Sequence, residues 1–160
     1  MVAGISVLIS CIALGFSLFA FLHNQRKDRR DLFLQMHQLL TSSDLRRGRW
    51  ILFQKISDEE SVERLSDDEW RDIDRAMSAY NALGLYIAKN YINERDVMDI
   101  WAKPICAAWK AAQPYVAYRK RLEGSSPWKY FDFLSECARR EIARIGDNSD
   151  VAIWRRGPVS

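Results

Sequence analysis

The first 22 residues contain no Asp, Glu, Lys or Arg, and every charged side chain falls among the 138 residues that follow. A chain divided in this way is suited to two solvents. As an α-helix rising about 1.5 Å per residue, residues 2–22 reach about 31 Å, the thickness of a hydrocarbon core. No later stretch competes. The next most apolar region, residues 97–118, is interrupted by Asp99, Lys103 and Lys110, and each charge at a helix centre costs about 2.5–3.5 kcal/mol on insertion. The expectation is one transmembrane helix over residues 1–22.

A removable signal peptide would carry a basic start, a shorter apolar stretch and small residues at its cleavage site. Here nothing basic precedes the stretch, and its end reads Phe21, Leu22, His23, Asn24. The segment therefore reads as a retained anchor. Arg26, Lys27, Arg29 and Arg30 follow at once. The positive-inside rule then predicts a single-pass protein of the plasma (inner) membrane, N-terminus outside and C-terminal domain cytoplasmic. The four cations set topology and lie where anionic headgroups gather. Within the span, Ser6, Ser10, Ala13, Ser17 and Ala20 share one helical stripe, a surface on which another helix can approach closely. The partners this implies are the lipid bilayer and a protein partner or a second copy through the transmembrane helix.

Beyond the basic segment, residues 23–31, apolar positions recur at helical spacing to about residue 146, and no run alternates as a strand does. The fold class is all-α, an N-terminal transmembrane helix continuing into a cytoplasmic bundle of about five helices over residues 32–146, with a mobile tail at 147–160. Leu32, Phe33, Met36, Leu39 and Leu40 carry the anchor helix into the domain without Gly or Pro, which predicts a rigid connection. Thr41, Ser42, Ser43 and Asp44 supply a turn and cap before a second helix bearing Leu45, Trp50, Leu52, Phe53 and Ile56, weakened by Gly48. Ser66 with Glu69 forms a capping box, opening a long helix through Trp70, Ile73, Met77, Tyr80, Gly84, Ile87 and Tyr91. Asn93 caps a helix that buries Val97, Ile100, Trp101, Ile105, Ala108, Ala112 and Tyr115, with a kink expected near Lys103 and a break or second kink before Pro114. A last helix is expected after a Ser126 cap with Pro127 in first position; it carries Trp128, Phe131, Leu134, Ala138, Ile142 and Ile145, and Gly146 ends it.

Charge is uneven although the net value is only +3: residues 58–74 hold nine acids against Arg64 and Arg71, and residues 101–160 hold eleven basic against six acidic side chains. The plain reading is helix faces that complement one another, and no nucleic acid partner is expected. Catalytic patterns are missing from the sequence. His23 and His37 are the two histidines, and they read as interfacial or surface residues. Cys106 and Cys137 stand singly, and the seven glycines form no phosphate loop. No cofactor or metal is expected, since Asp67, Asp68, Asp72 and Asp74 with Glu69 lack the ligand spacing and glycine of a calcium loop, and helix capping explains the first three. The weak cleft candidate is Trp101, Pro104 and Trp109 with the basic triplet Arg119, Lys120 and Arg121.

Trp50 in an early helix, then Tyr80, Asn81, Leu83, Gly84 and Ile87, then Trp101, Pro104, Trp109 and the stretch from Tyr115 to Arg119 form a further pattern. With the apolar start and its basic flank, the chain resembles an uncharacterised family of small bacterial membrane-anchored all-helical proteins, the domain of unknown function 4760, over most of residues 1–145. The resemblance implies a membrane-anchored helical body and carries no activity across. Two functions follow from the residues: a membrane-anchored interaction module, scaffold or accessory subunit, or else a ligand- or lipid-sensing domain or enzyme using a cleft between kinked helices.

Overall fold

A computed structural model describes Leu14, Phe19 and Lys27, residues 29–125 and residues 127–155, with side chains described as far as Gly146. Six helical segments make up the described body: α1 (29–41), α2 (Ser43–Gln54), α3 (Glu59–Glu63), α4 (Asp67–Ala88), α5 (Glu94–Glu123) and α6 (Lys129–Arg155). The described residues contain no strand. No helix among them is long and apolar enough to cross a membrane. The anchor expected at residues 1–22 lies outside the described residues except for Leu14 and Phe19, which are helical and exposed.

The starts of the helices follow the local rules of the sequence. Ser42 caps α2 by accepting from the Leu45 amide, and Asn93 caps α5 by accepting from the Arg95 amide at 3.0 Å. At α4 the box is complete, with the Ser66 hydroxyl accepting from the Glu69 amide and the Glu69 carboxylate accepting from the Ser66 amide at 3.0 Å. The extra helix α3 arises within the acidic stretch, where Asp58 and Ser61 form a second reciprocal box. That box raises the helices of the body above the expected five.

Three expectations about helix interruption are corrected. The helix α5 runs unbroken from Glu94 to Glu123 although Pro104 and Pro114 lie inside it. The carbonyls these prolines leave without a helical donor belong to Ile100 and Lys110, both exposed residues, so water can satisfy them and the helix continues. Gly146 lies within α6, which extends to Arg155; it is not among the residues with positive φ, and glycine inside a helix costs only about 1 kcal/mol. Finally, α6 begins at Lys129, two residues later than Pro127. Its opening amides are capped from another helix: the Asn81 side-chain oxygen in α4 accepts from the Tyr130 and Phe131 amides at 3.0 and 3.2 Å. Ser126 lies outside the described residues.

Helix α4 packs against α2 and α6, α5 packs against α6, and α2 and α3 close onto α5. Ile73, Met77, Tyr80, Leu83 and Ile87 supply the α4 side of the core, and Phe131 and Leu134 the α6 side. Burying side chains of this size contributes about 1.5–3 kcal/mol each. Tyr80 stacks on Phe131, with centroids 4.7 Å apart and planes 9° from parallel, while Trp109 meets the same ring edge-on at 4.9 Å. Four residues expected to be buried face outward instead: Phe53, Tyr91, Ile100 and Ile145.

Two glycines set how closely the helices approach. A Cβ on Gly48 would stand 2.1 Å from the Asp72 carbonyl oxygen of α4, and one on Gly84 would stand 2.0 Å from the Tyr130 carbonyl oxygen of α6. No side chain fits at either point without moving a backbone. Gly84→Ala is therefore expected to destabilise the body by about 1–3 kcal/mol through overpacking, measured by denaturant unfolding, whereas Gly146→Ala, with open space around the new methyl, is expected to be neutral or stabilising by up to about 1 kcal/mol. Equal effects at the two glycines would overturn this account of the packing.

Glu69 gives the fold a pH dependence. Its carboxylate pairs with Lys55 of α2 as well as capping α4. The hydrogen bond from Lys55, and then that from the Ser66 amide, hold its carboxyl below the ordinary glutamate value of 4.5. A depressed folded-state value stabilises the fold above the unfolded value, and that contribution is lost as pH falls through the folded one. The stability gap between the wild type and Glu69→Gln should therefore be open at pH 7 and close progressively below pH 4.5. Thermal melts across that range measure it.

Candidate functional site

The residues singled out in the sequence are separated by the fold. Trp101 turns from α5 toward α1, where its indole Nε1 donates to His37 Nδ1 at 3.3 Å with the rings edge-on at 5.5 Å. An indole nitrogen only donates, so His37 accepts here through Nδ1 and carries its neutral-state proton on Nε2. His37 is thus a partly buried joint between α1 and α5, where the sequence suggested a surface residue. Pro104 faces solvent on α5.

The basic triplet points three ways. Arg119 turns inward, with its guanidinium over Trp70 at 5.7 Å and Trp128 at 5.4 Å, and Nη1 donates to both Asp74 carboxylate oxygens at 3.2 and 3.1 Å. Tyr115 donates to the same carboxylate at 2.8 Å, and Arg119 Nε donates to Glu123 at 2.7 Å. Burial, reinforced by the Asp74 carboxylate, pushes the Tyr115 phenol far above its ordinary range, so it stays protonated and donating. The Asp74 carboxylate, the Tyr115 hydroxyl and the Arg119 guanidinium thus find partners in one another and in Glu123. The arrangement braces α4, α5 and the start of α6, and it presents no group poised for proton transfer. Arg121 pairs with Glu59 at 2.7 Å and with Glu63 at 3.4 Å, fastening α5 to α3. The acidic stretch and the basic C-terminal half are therefore complementary faces of one body, as their charge pattern suggested.

Only Trp109 and Lys120 of the predicted cluster meet open space together. They lie on the seam between α5 and α6, which holds two adjoining hollows. The first, about 410 Å³, is lined by Cys106, Trp109, Lys110, Gln113, Ser135 and Arg139. The second, about 360 Å³, shares Trp109 and Gln113 and brings in Lys120, Lys129 and Asp132. Trp109 forms an apolar floor, and Cys106 Sγ lies 4.0 Å from the Ser135 carbonyl oxygen. Burial raises the Cys106 thiol above its ordinary value, so it remains protonated. The sequence analysis passed over most of this lining. A signal was present: positions 106, 110, 113 and 117 on α5 repeat at steps of four and three, as do 132, 135 and 139 on α6. These stripes run beside the apolar ones and mix polar with apolar residues, which reads as surface until the helices are paired.

Of the juxtamembrane cations, Lys27, Arg29 and Arg30 are helical and exposed at the head of α1; Arg26 lies outside the described residues, as do Ser6, Ser10, Ala13, Ser17 and Ala20 of the small-residue stripe. Among the described residues no cluster of His, Cys, Asp or Glu is arranged to hold a metal ion.

Taken together, the described residues define an all-helical domain in which many acids serve helix caps and ion pairs and in which two adjoining hollows lie between α5 and α6. The chain belongs to the family described as Domain of unknown function (DUF4760), whose family model matches residues 7–140. That match takes in part of the uncharged stretch and the body as far as Arg140, in the first half of α6. No curated protein and no solved structure matches the chain.

The Arg119 brace has a measurable strength. Removing its carboxylate with Asp74→Ala is expected to cost about 1–2 kcal/mol in denaturant unfolding, toward the low end for charge-assisted bonds because the Asp74 side chain is 41% exposed. Tyr115→Phe should cost about 1 kcal/mol, since Arg119 still satisfies the carboxylate. A variant at Asp74 indistinguishable from wild type would show that the brace is decorative.

Proposed function

We propose that the protein is a membrane-tethered helical interaction module, a scaffold or accessory subunit held at the bilayer by residues 1–22 and acting through protein contacts. The observation that carries this reading is the uncharged stretch of 22 residues, followed at once by four cations and then by α1. Support comes from Leu14 and Phe19, both helical, with side chains about 70% exposed in the isolated chain, as suits residues covered by lipid. Arg26, Lys27, Arg29 and Arg30 fix the orientation, placing the body on the cytoplasmic side. The stripe of Ser6, Ser10, Ala13, Ser17 and Ala20 then faces a membrane helix of a partner or of a second copy. Within the body, Arg47, Arg119, Arg121 and Arg140 pair with acids of other helices, which suits a module that presents a shape. A ligand-sensing reading is favoured by one observation, the hollows between α5 and α6.

Cys106 reports on the tether. In bacterial cells making the full chain, the protein should resist carbonate extraction from membranes, and a membrane-impermeant maleimide should label Cys106 only after the cells are opened. Changing Arg26, Lys27, Arg29 and Arg30 together to Glu should let a fraction of Cys106 be labelled from outside. Release by carbonate, or labelling of the wild type on intact cells, would sink the tether and its orientation.

A further inference from the structure

We infer that the α5–α6 seam is a binding site for a small organic anion with a flat apolar body, its acid group held between Lys110 and Arg139 and its body lying on Trp109. The inference rests on the ligand-sensing reading and is independent of the membrane tether.

Size and lining come first. A hollow of about 410 Å³ falls within the usual range of small-ligand sites, about 300–1,000 Å³, which pair apolar walls with a few converging polar groups. Here the apolar part is the Trp109 ring, fixed by its edge-on contact with Phe131, together with the protonated Cys106 thiol. The Gln113 amide donates to the Trp109 carbonyl at 3.3 Å, which holds that side chain along the wall. A rigid aromatic floor of this kind accepts a planar body with little ordering cost.

Charge decides what class of ligand fits. Elsewhere on the body, Arg47, Arg71, Arg75, Arg119, Arg121, Arg140, Arg144 and Lys55 each pair with a carboxylate, whereas Arg46, Arg49, Lys89, Arg95 and Lys103 are in no ion pair among the described residues, so what sets the seam apart is that its cations gather at adjoining hollows. Lys110, Lys120 and Lys129 line the seam, and none of the ion pairs among the described residues includes them. Lys129 lies over the Tyr130 ring at 4.9 Å, a contact that leaves its charge in place. Arg139 pairs only with Glu136, one turn away on its own helix, at 2.7 Å and with both side chains more than half exposed, a bond worth little and easily shared. Against these four cations the lining offers one carboxylate, Asp132. Such an excess above a low-dielectric floor focuses a positive potential into the hollow and draws an anion. A bare inorganic anion would leave the Trp109 floor uncovered, and a neutral aromatic would leave the cations unanswered. A protonated thiol adds no competing negative charge.

Cys106 provides the assay, because a ligand on Trp109 covers its sulfur. The full-length protein in neutral detergent is alkylated with iodoacetamide at pH 9, and modification of Cys106 is followed by peptide mass spectrometry with 2-naphthoate, 2-naphthamide or inorganic phosphate present. Saturating 2-naphthoate should slow Cys106 alkylation by about tenfold or more, and the amide should need about tenfold higher concentration for the same effect, equivalent to about 1.4 kcal/mol. Phosphate alone should give no protection. Lys110→Gln, a change at an exposed residue outside the ion pairs, should weaken protection by 2-naphthoate, and Lys110→Gln with Arg139→Gln should weaken it by about tenfold or more. Lack of protection by 2-naphthoate, equal protection by the amide, or protection unchanged in both variants would each overturn the assignment. Because detergent-solubilised protein is used, failure here leaves the membrane reading intact, and carbonate release of the chain leaves this site intact.

Discussion

At Gly48 and Gly84 the neighbouring helices come so near α4 that a single methyl group would collide with a carbonyl oxygen of the facing backbone. Much else follows from those two approaches. With α6 drawn against Gly84, its first free amides fall within reach of Asn81, three residues earlier on α4, and Phe131 lies flat on Tyr80. With α4 drawn against Gly48 of α2, Lys55 reaches Glu69 and Arg47 reaches Asp72 at 3.0 Å. The distinctive polar contacts of the body are thus consequences of close backbone packing. A helix that approaches on small residues gives up side-chain burial at the crossing and gains a fixed geometry for the side chains around it.

Local chemistry was readable along the chain, and contacts made across the fold were not. The Ser66 and Glu69 box, the Asn93 cap and the buried stripe from Ile73 to Ile87 involve residues within one or two turns of each other, so their spacing in sequence is their spacing in space. Asn81 looked like a polar residue in mid-helix because its partners lie 49 and 50 positions away. Gly48 looked like a weak point for the same reason. Pro104 and Pro114 carried a real local cost, but the cost depends on whether water can reach the freed carbonyls, which only the packing determines. The short α3 went unassigned in the acidic stretch, whose partner Arg121 lies far along the chain and is brought opposite Glu59 and Glu63 only by the fold.

The candidate site shows the same boundary. Trp101, Arg119 and Arg121 were grouped by proximity in sequence, yet a helix points successive residues in different directions, about 100° apart. One went to the stalk, one to the brace and one to α3. What lines the seam is a set at steps of three and four, in which lysine rather than arginine supplies the positive charge at three of four places. The planar guanidinium is suited to fixed, forked contacts within the protein, whereas the mobile ammonium remains hydrated and available to an incoming group. That division of labour separates the side chains that hold this body together from those that face its open space.

Arg49 of α2 donates to the Leu40 carbonyl at the end of α1, while His37 accepts from Trp101 of α5. The last turn of the leading helix is therefore held by two different helices, and the direction in which α1 leaves the body is set by contacts made with α2 and α5 rather than by its own sequence.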